Sequence, residues 1–323
     1  MRFHLLSSDA NGQIDGTARM SLYDHLPLTP SITGCDAVIV PISHYENFKF
    51  NEALYHIKKP IVIMDFMEYF GFLPLGETHL FGDGQLPRNL DGKEEWVKLN
   101  NWANDRSQDI TYFKRELFGD AAERGITAHP IEWPCMHPAW AIESKEAFNS
   151  RPFEVFYNWG YSNHLRPQMQ ASIFSLMAAG KIDVISNFDH IDAKIHEPQP
   201  KWIAIHSPHT HRRNFNEIQL RQAQSKCSIS LPGSGACCFR SVEAPLHTVP
   251  VICDYGKRWS IPWVSGQNCI KLLPSCVTAE SIQFEIGYDN LHEIYINAQQ
   301  TLDRYRTLRY INEYVIPTIR QHL

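Results

Sequence analysis

The stretch "SLPGSGACCFRSVEAPLHTVPVICD" (residues 230–254) decides how the chain is read. It passes from a strand end into Gly233-Ser234-Gly235, then into a helix expected from about Ala236, then into a Val/Ile strand that closes at Asp254. The two glycines let the backbone reach positive φ and approach a ligand closely. The helix start offers unpaired N–H groups and the positive end of its dipole, which suits an anion. Arg240 and Glu243 stand three apart and share a helix face. There an arginine suits a phosphate and a carboxylate suits a sugar diol. A plain helix ion pair has the same spacing. Gly-Ser-Gly is not G-x-G-x-x-G, and no G-K-[ST] follows, which disfavours a dinucleotide fingerprint and a P-loop.

Upstream, "RPFEVFYNWG" (151–160) reads as a strand, and "PQMQASIFSLMAAGK" (167–181) as a helix with Pro167 in its first turn. "KIDVISNF" (181–188) and "KWIAIHSP" (201–208) are strands, and the polar helix "NFNEIQLRQAQSK" (214–226) feeds the strand "CSISLP" (227–232). "CIKLL" (269–273) and a mostly helical tail follow. In the first half, "RFHLLSSD", "CDAVIVPIS" (35–43) and "PIVIMDF" (60–66) are short apolar runs of the kind buried in parallel sheets. A crossover helix is expected between the last two, at 46–59. A helical stretch at 107–124 precedes the strand "ITAHPIEWP" (126–134), and roughly 70–105 reads as an irregular insertion. Strands alternating with helices predict an α/β protein with two parallel-sheet domains facing each other.

The 323 residues, 43% hydrophobic and 20% charged, are enough for two globular domains. No run approaches 18 apolar residues, so no membrane span is expected. The polar start after six residues lacks a signal-peptide core, and the chain is read as cytoplasmic. Eight cysteines without a C-x-x-C pair read as reduced, mostly core thiols. Residues 1–150 hold 13 Lys/Arg and 21 Asp/Glu, a balance of −8, whereas 151–323 hold 17 and 14, a balance of +3. A basic second half suits a phosphate-bearing ligand, and an acidic first half disfavours a nucleic-acid partner there.

The order Pro232-Gly233, Arg240-Ser241-Val242-Glu243-Ala244, Val249-Pro250-Val251-Ile252 resembles the donor-binding segment of GT-B glycosyltransferases, closest to the exostosin-like and family-1-type groups. The upstream "EVFYNWGYSNHLRPQMQASIF" is similar to the opening strand, loop and helix of the same domain, so the likeness covers about 151–305. It implies two Rossmann-like domains facing a cleft: an acceptor-side domain at 1–150, a nucleotide-sugar domain at 151–305, and a helix at 306–323 that crosses back to the first. His247 and Thr248 stand where the family keeps a small residue, a substitution that narrows the implied sugar pocket.

The resemblance implies that Glu243 accepts hydrogen bonds from the donor's hydroxyls, most naturally the ribose diol, and that Arg240 holds a phosphate or orients Glu243. Gly233, Ser234 and Gly235 approach the diphosphate or sugar, with Arg166, Arg212 and Arg213 as further phosphate or base contacts. Each has a bland alternative as a turn, capping or solvated residue. The run "HSPHTHRRNF" (206–215) has no nearby carboxylate or thiolate to complete a zinc site. An inverting reaction needs a general base for the acceptor hydroxyl. Strand ends of the first domain offer Asp15 first, then Asp9 and Asp65, with His44 and Glu68 also eligible. The aromatics of 66–81 are either an acceptor platform or core.

The expected function is therefore transfer of a sugar from a nucleotide-diphosphate donor, UDP- or GDP-linked, to a hydroxyl of a glycan, small molecule or modified DNA base. No tightly bound cofactor and no metal is required, since arginines and a helix terminus can stabilise the leaving diphosphate. Two other functions share the architecture: a nucleotide-sugar 2-epimerase-like isomerase, and a non-catalytic nucleotide-sugar or glycan-binding protein.

Overall fold

The computed structural model describes residues 1–14, 16–42, 48–66, 93–115, 117, 122–123, 126–137, 141–159, 182–186, 219–220, 222–230, 244–273 and 289–323. The chain forms two compact units. The first comprises Met1–His137, Gly256–Pro262 and Arg304–Leu323; the second comprises Pro138–Tyr255 and Trp263–Asp303.

The first unit is built on β1 (Phe3–Leu5), β2 (Ala37–Ile42), β3 (Ile61–Asp65), β4 (Ile110–Lys114), β5 (Ala122–Glu123) and β6 (Ile126–Pro130), in the order β1-β2-β3-β4-β6-β5. All pairings are parallel except β5 on β6. Every residue of β2, β3 and β4 is buried, as expected when both faces of a parallel sheet are covered. A short helix, α1 (Gly16–Ser21), follows β1. Val38, Val40, Ile42, Ile61 and Ile63 share a core cluster with Leu99, Trp102 and Ala103 of helix α2 (Lys93–Asp105). The Trp102 indole N–H donates to the Leu54 carbonyl at 3.2 Å.

Three readings of this half change. In the described part of the β2–β3 connection, 48–60, Glu52–His56 form a 3-10 turn capped by the Asn51 side chain where the crossover helix was expected. Pro60 biases Lys59 toward extended backbone, which suits the entry into β3. The stretch 107–124, expected helical, contains β4, whose Ile110-Thr111-Tyr112-Phe113 run is β-branched and aromatic. The helix instead occupies 93–105, inside the stretch read as irregular, where it starts on Lys93-Glu94-Glu95.

The second unit is built on β7 (Phe153–Trp159), β8 (Ile182–Ser186), β9 (Ser225–Ser230), β10 (Val249–Cys253) and β11 (Ile270–Leu272), all parallel, in the order β11-β10-β9-β7-β8. Short helix α3 (Lys145–Asn149) buries Phe148 against Tyr295 of α4 (Leu291–Arg304), the rings stacked 5.1 Å apart. α4 buries Leu291, Ile294, Tyr295, Ala298 and Leu302, one stripe of an amphipathic helix. Arg151 pins the N-terminal edge of this sheet. It donates to the carbonyls of Ser225 and His247 at 2.5 and 2.6 Å and pairs with Glu143 at 3.0 Å.

The chain then returns to the first unit as α5 (Thr307–Tyr310), a π-turn (Ile311–Val315) and α6 (Ile316–His322). Pro317 has no N–H for the preceding turn, and the widened turn ends just before it. Tyr305, Tyr310 and Tyr314 stack at 5.6 and 5.4 Å. Among the described residues no helix is long and apolar enough to cross a membrane.

Candidate functional site

Strand order locates the first part of the site. From β7 the chain runs outward to β8 and then comes back to the other side of β7 as β9. The order thus reverses between β7 and β9, and a crevice opens beyond the C-terminal ends of two strands that part in this way. Those ends are Trp159 and Ser230. Register puts them side by side, with Phe156 beside Ser228. The chain leaves β7 toward Arg166 and leaves β9 toward Gly233, Ser234, Gly235, Arg240 and Glu243. Those six residues, with Arg212 and Arg213, lie outside the described residues, as do Asp15, His44, Glu68 and the histidine-rich 206–215 run.

His247 and Thr248 are buried and immediately precede β10. They stand at the N-terminal edge of the sheet, where the Arg151 guanidinium takes the His247 carbonyl. This is the edge opposite the strand ends just described, about a strand length of 17 Å away. The expected narrowing of a sugar pocket by these two residues is therefore not what their position does; they close the strand's start.

The first sheet brings two of the predicted carboxylates to its C-terminal edge. Asp9, four residues past β1, is fully buried. Its Oδ1 accepts from the Asn11 amide N–H at 3.2 Å, the Asn11 side chain at 3.1 Å and the Lys49 N–H at 3.1 Å. Oδ2 has no hydrogen-bond partner among the described residues. The surrounding loop is tightly held. Ala10 N–H donates to Lys49 O at 2.7 Å, Asn51 N–H to Ser8 O at 3.0 Å, and Ser8 Oγ to Pro41 O at 2.8 Å. Gly12 closes the turn by donating its N–H to Asp9 O at φ 71°, a left-handed position that favours glycine.

Asp65 ends β3 and is equally buried. Register sets it beside Lys114 at the end of β4, with Tyr112 two residues earlier on the same face. Asp65 Oδ2 accepts from the Tyr112 hydroxyl at 2.6 Å and from Lys114 Nζ at 3.0 Å. The two aspartates therefore differ: one is neutralised by a buried lysine, while the other keeps an oxygen that meets no donor among the described residues. Lys114 and Tyr112 were not singled out from sequence, because that segment was read as helical; the alternation in "ITYFK" was the available signal.

Phe66, the first of the aromatics offered as a platform, is core: it stacks on Trp133 at 4.4 Å and meets the Tyr23 ring edge at 6.5 Å. The rest of that run, 67–81, lies outside the described residues. Arg115 lies over Trp133 at 5.5 Å. The described cysteines, Cys35, Cys135, Cys227, Cys253 and Cys269, are buried thiols outside any disulfide. Burial pushes the Cys253 thiol up to about 11 and the Cys269 thiol up to about 12, which leaves neither reactive at neutral pH.

No protein-family profile matches the chain, and no curated protein matches it. Solved structures do. A UDP-forming α,α-trehalose-phosphate synthase from Burkholderia xenovorans is similar with a TM-score of 0.50 at 13% identity, over 88% of this chain and 73% of that one. The corresponding enzyme of Burkholderia vietnamiensis gives 0.51 at 12% identity, over 88% and 72%. At such identities the likeness speaks to architecture. Two units, each on a parallel sheet, with the strand reversal at β7 and β9 in the second, give this chain the fold of the GT-B glycosyltransferases, with two Rossmann-like domains.

Proposed function

We propose that the protein is a glycosyltransferase that moves a sugar from a nucleotide-diphosphate donor to a hydroxyl acceptor. The observation that carries this reading is the strand reversal between β7 and β9. The two connections leaving that point in the sequence hold the Arg166 loop and the Gly233–Glu243 segment. In this reading Glu243 takes the ribose diol, and Arg166, Arg240 and the Gly233-Ser234-Gly235 backbone hold the diphosphate. Arg212 and Arg213 contribute further positive charge. The donor is a UDP- or GDP-sugar, and no tightly bound cofactor takes part.

In the reaction the acceptor oxygen forms a bond to the anomeric carbon as the bond from that carbon to the diphosphate breaks. The nucleoside diphosphate leaves with the bonding electrons, stabilised by arginines and backbone N–H groups. In an inverting reaction the acceptor's proton passes to a carboxylate. Of Asp15, Asp9 and Asp65, we assign this role to Asp9. Its Oδ2, without a partner among the described residues, supports the assignment, whereas Asp65 is already engaged by Lys114 and Tyr112.

The test is a thermal-shift screen of UDP-, GDP-, ADP- and CMP-sugars on wild type, Glu243→Ala and Asp9→Asn. One nucleotide class should raise the Tm of wild type and of Asp9→Asn but not of Glu243→Ala, since a ligand stabilises only the form that binds it. Absence of any shift with every donor and free nucleoside diphosphate overturns the reading.

A further inference from the structure

Glu132, two residues past β6, is fully buried within the first unit. Lys257 Nζ donates to its Oε1 at 2.6 Å and to the Arg258 carbonyl at 2.9 Å. The Ser260 hydroxyl donates to Glu132 Oε2, and the Ser260 N–H points to the same oxygen at 3.3 Å. The Tyr310 hydroxyl donates to Ser260 Oγ at 2.9 Å and accepts the Glu132 backbone N–H at 3.2 Å. The ring of donors and acceptors is closed, so the buried charges are both paired and hydrogen-bonded. Burial, with the Glu132 charge beside it, holds the Tyr310 hydroxyl well above its ordinary range, so it stays a donor.

These four residues come from four places where the chain enters or leaves the unit. Glu132 lies five residues before His137, Lys257 and Ser260 lie inside Gly256–Pro262, and Tyr310 lies six residues past Arg304. Shorter links join the same segments. Cys135 N–H donates to Tyr305 O at 2.8 Å, Tyr305 OH to Ile261 O at 2.7 Å, and the Arg306 guanidinium to His137 O. The strap Gly256–Pro262 is itself bounded on both sides by residues of the second unit, Tyr255 and Trp263.

We propose that the Glu132–Lys257–Ser260–Tyr310 cluster is a single anchor for all four connections, so that loosening one partner loosens the others together. The strap and the C-terminal helix then behave as one locked element. Flexing of the chain between the units is confined to residues beyond the cluster. This inference does not depend on the function proposed above.

Hydrogen-exchange mass spectrometry on the full chain tests it. Tyr310→Phe removes one hydroxyl and keeps the ring. It should raise exchange about fivefold to tenfold in 131–137 and 256–261 as well as in 304–323, as one lost buried hydrogen bond allows. Amides of β7, β8 and β9 should exchange as in wild type. Lys257→Met should raise exchange in the same three segments by a larger factor; if that variant does not fold, Tyr310→Phe decides alone. A rise confined to 304–323, with the strap and 131–137 at wild-type rates, overturns the proposal.

Discussion

Asp65 and Asp9 occupy the same sheet edge and are both fully buried, yet they differ in what sits around them. The Lys114 ammonium and Tyr112 hydroxyl hold Asp65, so Lys114→Met would leave a buried carboxylate without its counter-charge. We expect that substitution to cost about 3–5 kcal/mol in chemical denaturation, whereas Tyr112→Phe should cost about 1 kcal/mol. Ser228 is the reverse case. Its hydroxyl is buried in the central strand β9 without a hydrogen-bond partner among the described residues. Ser228→Ala should therefore be neutral or raise the melting temperature by a few degrees, because it removes an uncompensated polar group. Residue types at strand ends made Asp9 and Asp65 visible in the sequence. Their partners were hidden, because a pair such as Asp65–Lys114 is created by register between segments 49 residues apart.

At the scale of elements, β2, β3, β7, β9 and β10 were legible because each is a short apolar run bounded by turn or polar residues. β4 and α2 were not, because the charged residues flanking "ITYFK" mimic a helix and the Asn-rich α2 looks irregular. The 3-10 turn before β3 shows the same limit, since its apolar spacing also fits an α-helix. β6 and α6 meet at His129 and His322, whose rings lie 4.6 Å apart. Burial, with His322 and Arg258 adding repulsion, holds His129 down to about 4, below its ordinary 6.5. Because the unfolded chain takes up this proton more readily, its contribution is complete above 6.5 and is lost as pH falls from 6.5 toward 4. Urea titrations at pH 7 and pH 4.5 should show a loss of at most about 3 kcal/mol from this group, and His129→Phe should remove that part of the pH dependence. Equal pH dependence in both proteins would discount the histidine. Tyr314, in the π-turn just before α6, donates its hydroxyl to Pro130 O at 2.7 Å; Tyr314→Phe should cost about 1 kcal/mol.

For the whole molecule, the alternation of strands and helices was enough to predict two parallel-sheet units, and the structure has them. Strand order was not readable from that alternation, because apolar periodicity reports which faces are buried and not which strands are neighbours. The reversal at β7 and β9, on which the functional reading rests, therefore came from the structure, while the chemistry placed beside it came from the Gly233–Glu243 sequence. The interleaving of the units has a consequence for the gene. A single recombination point cannot exchange one unit for that of another protein, since the chain changes unit at 137/138, 255/256, 262/263 and 303/304. A crossover near the middle of the coding sequence would deliver Glu132 from one parent and Lys257, Ser260 and Tyr310 from the other. Chimaeras of this protein should thus succeed only between parents that carry the same four side chains, which ties the inheritance of the two halves together.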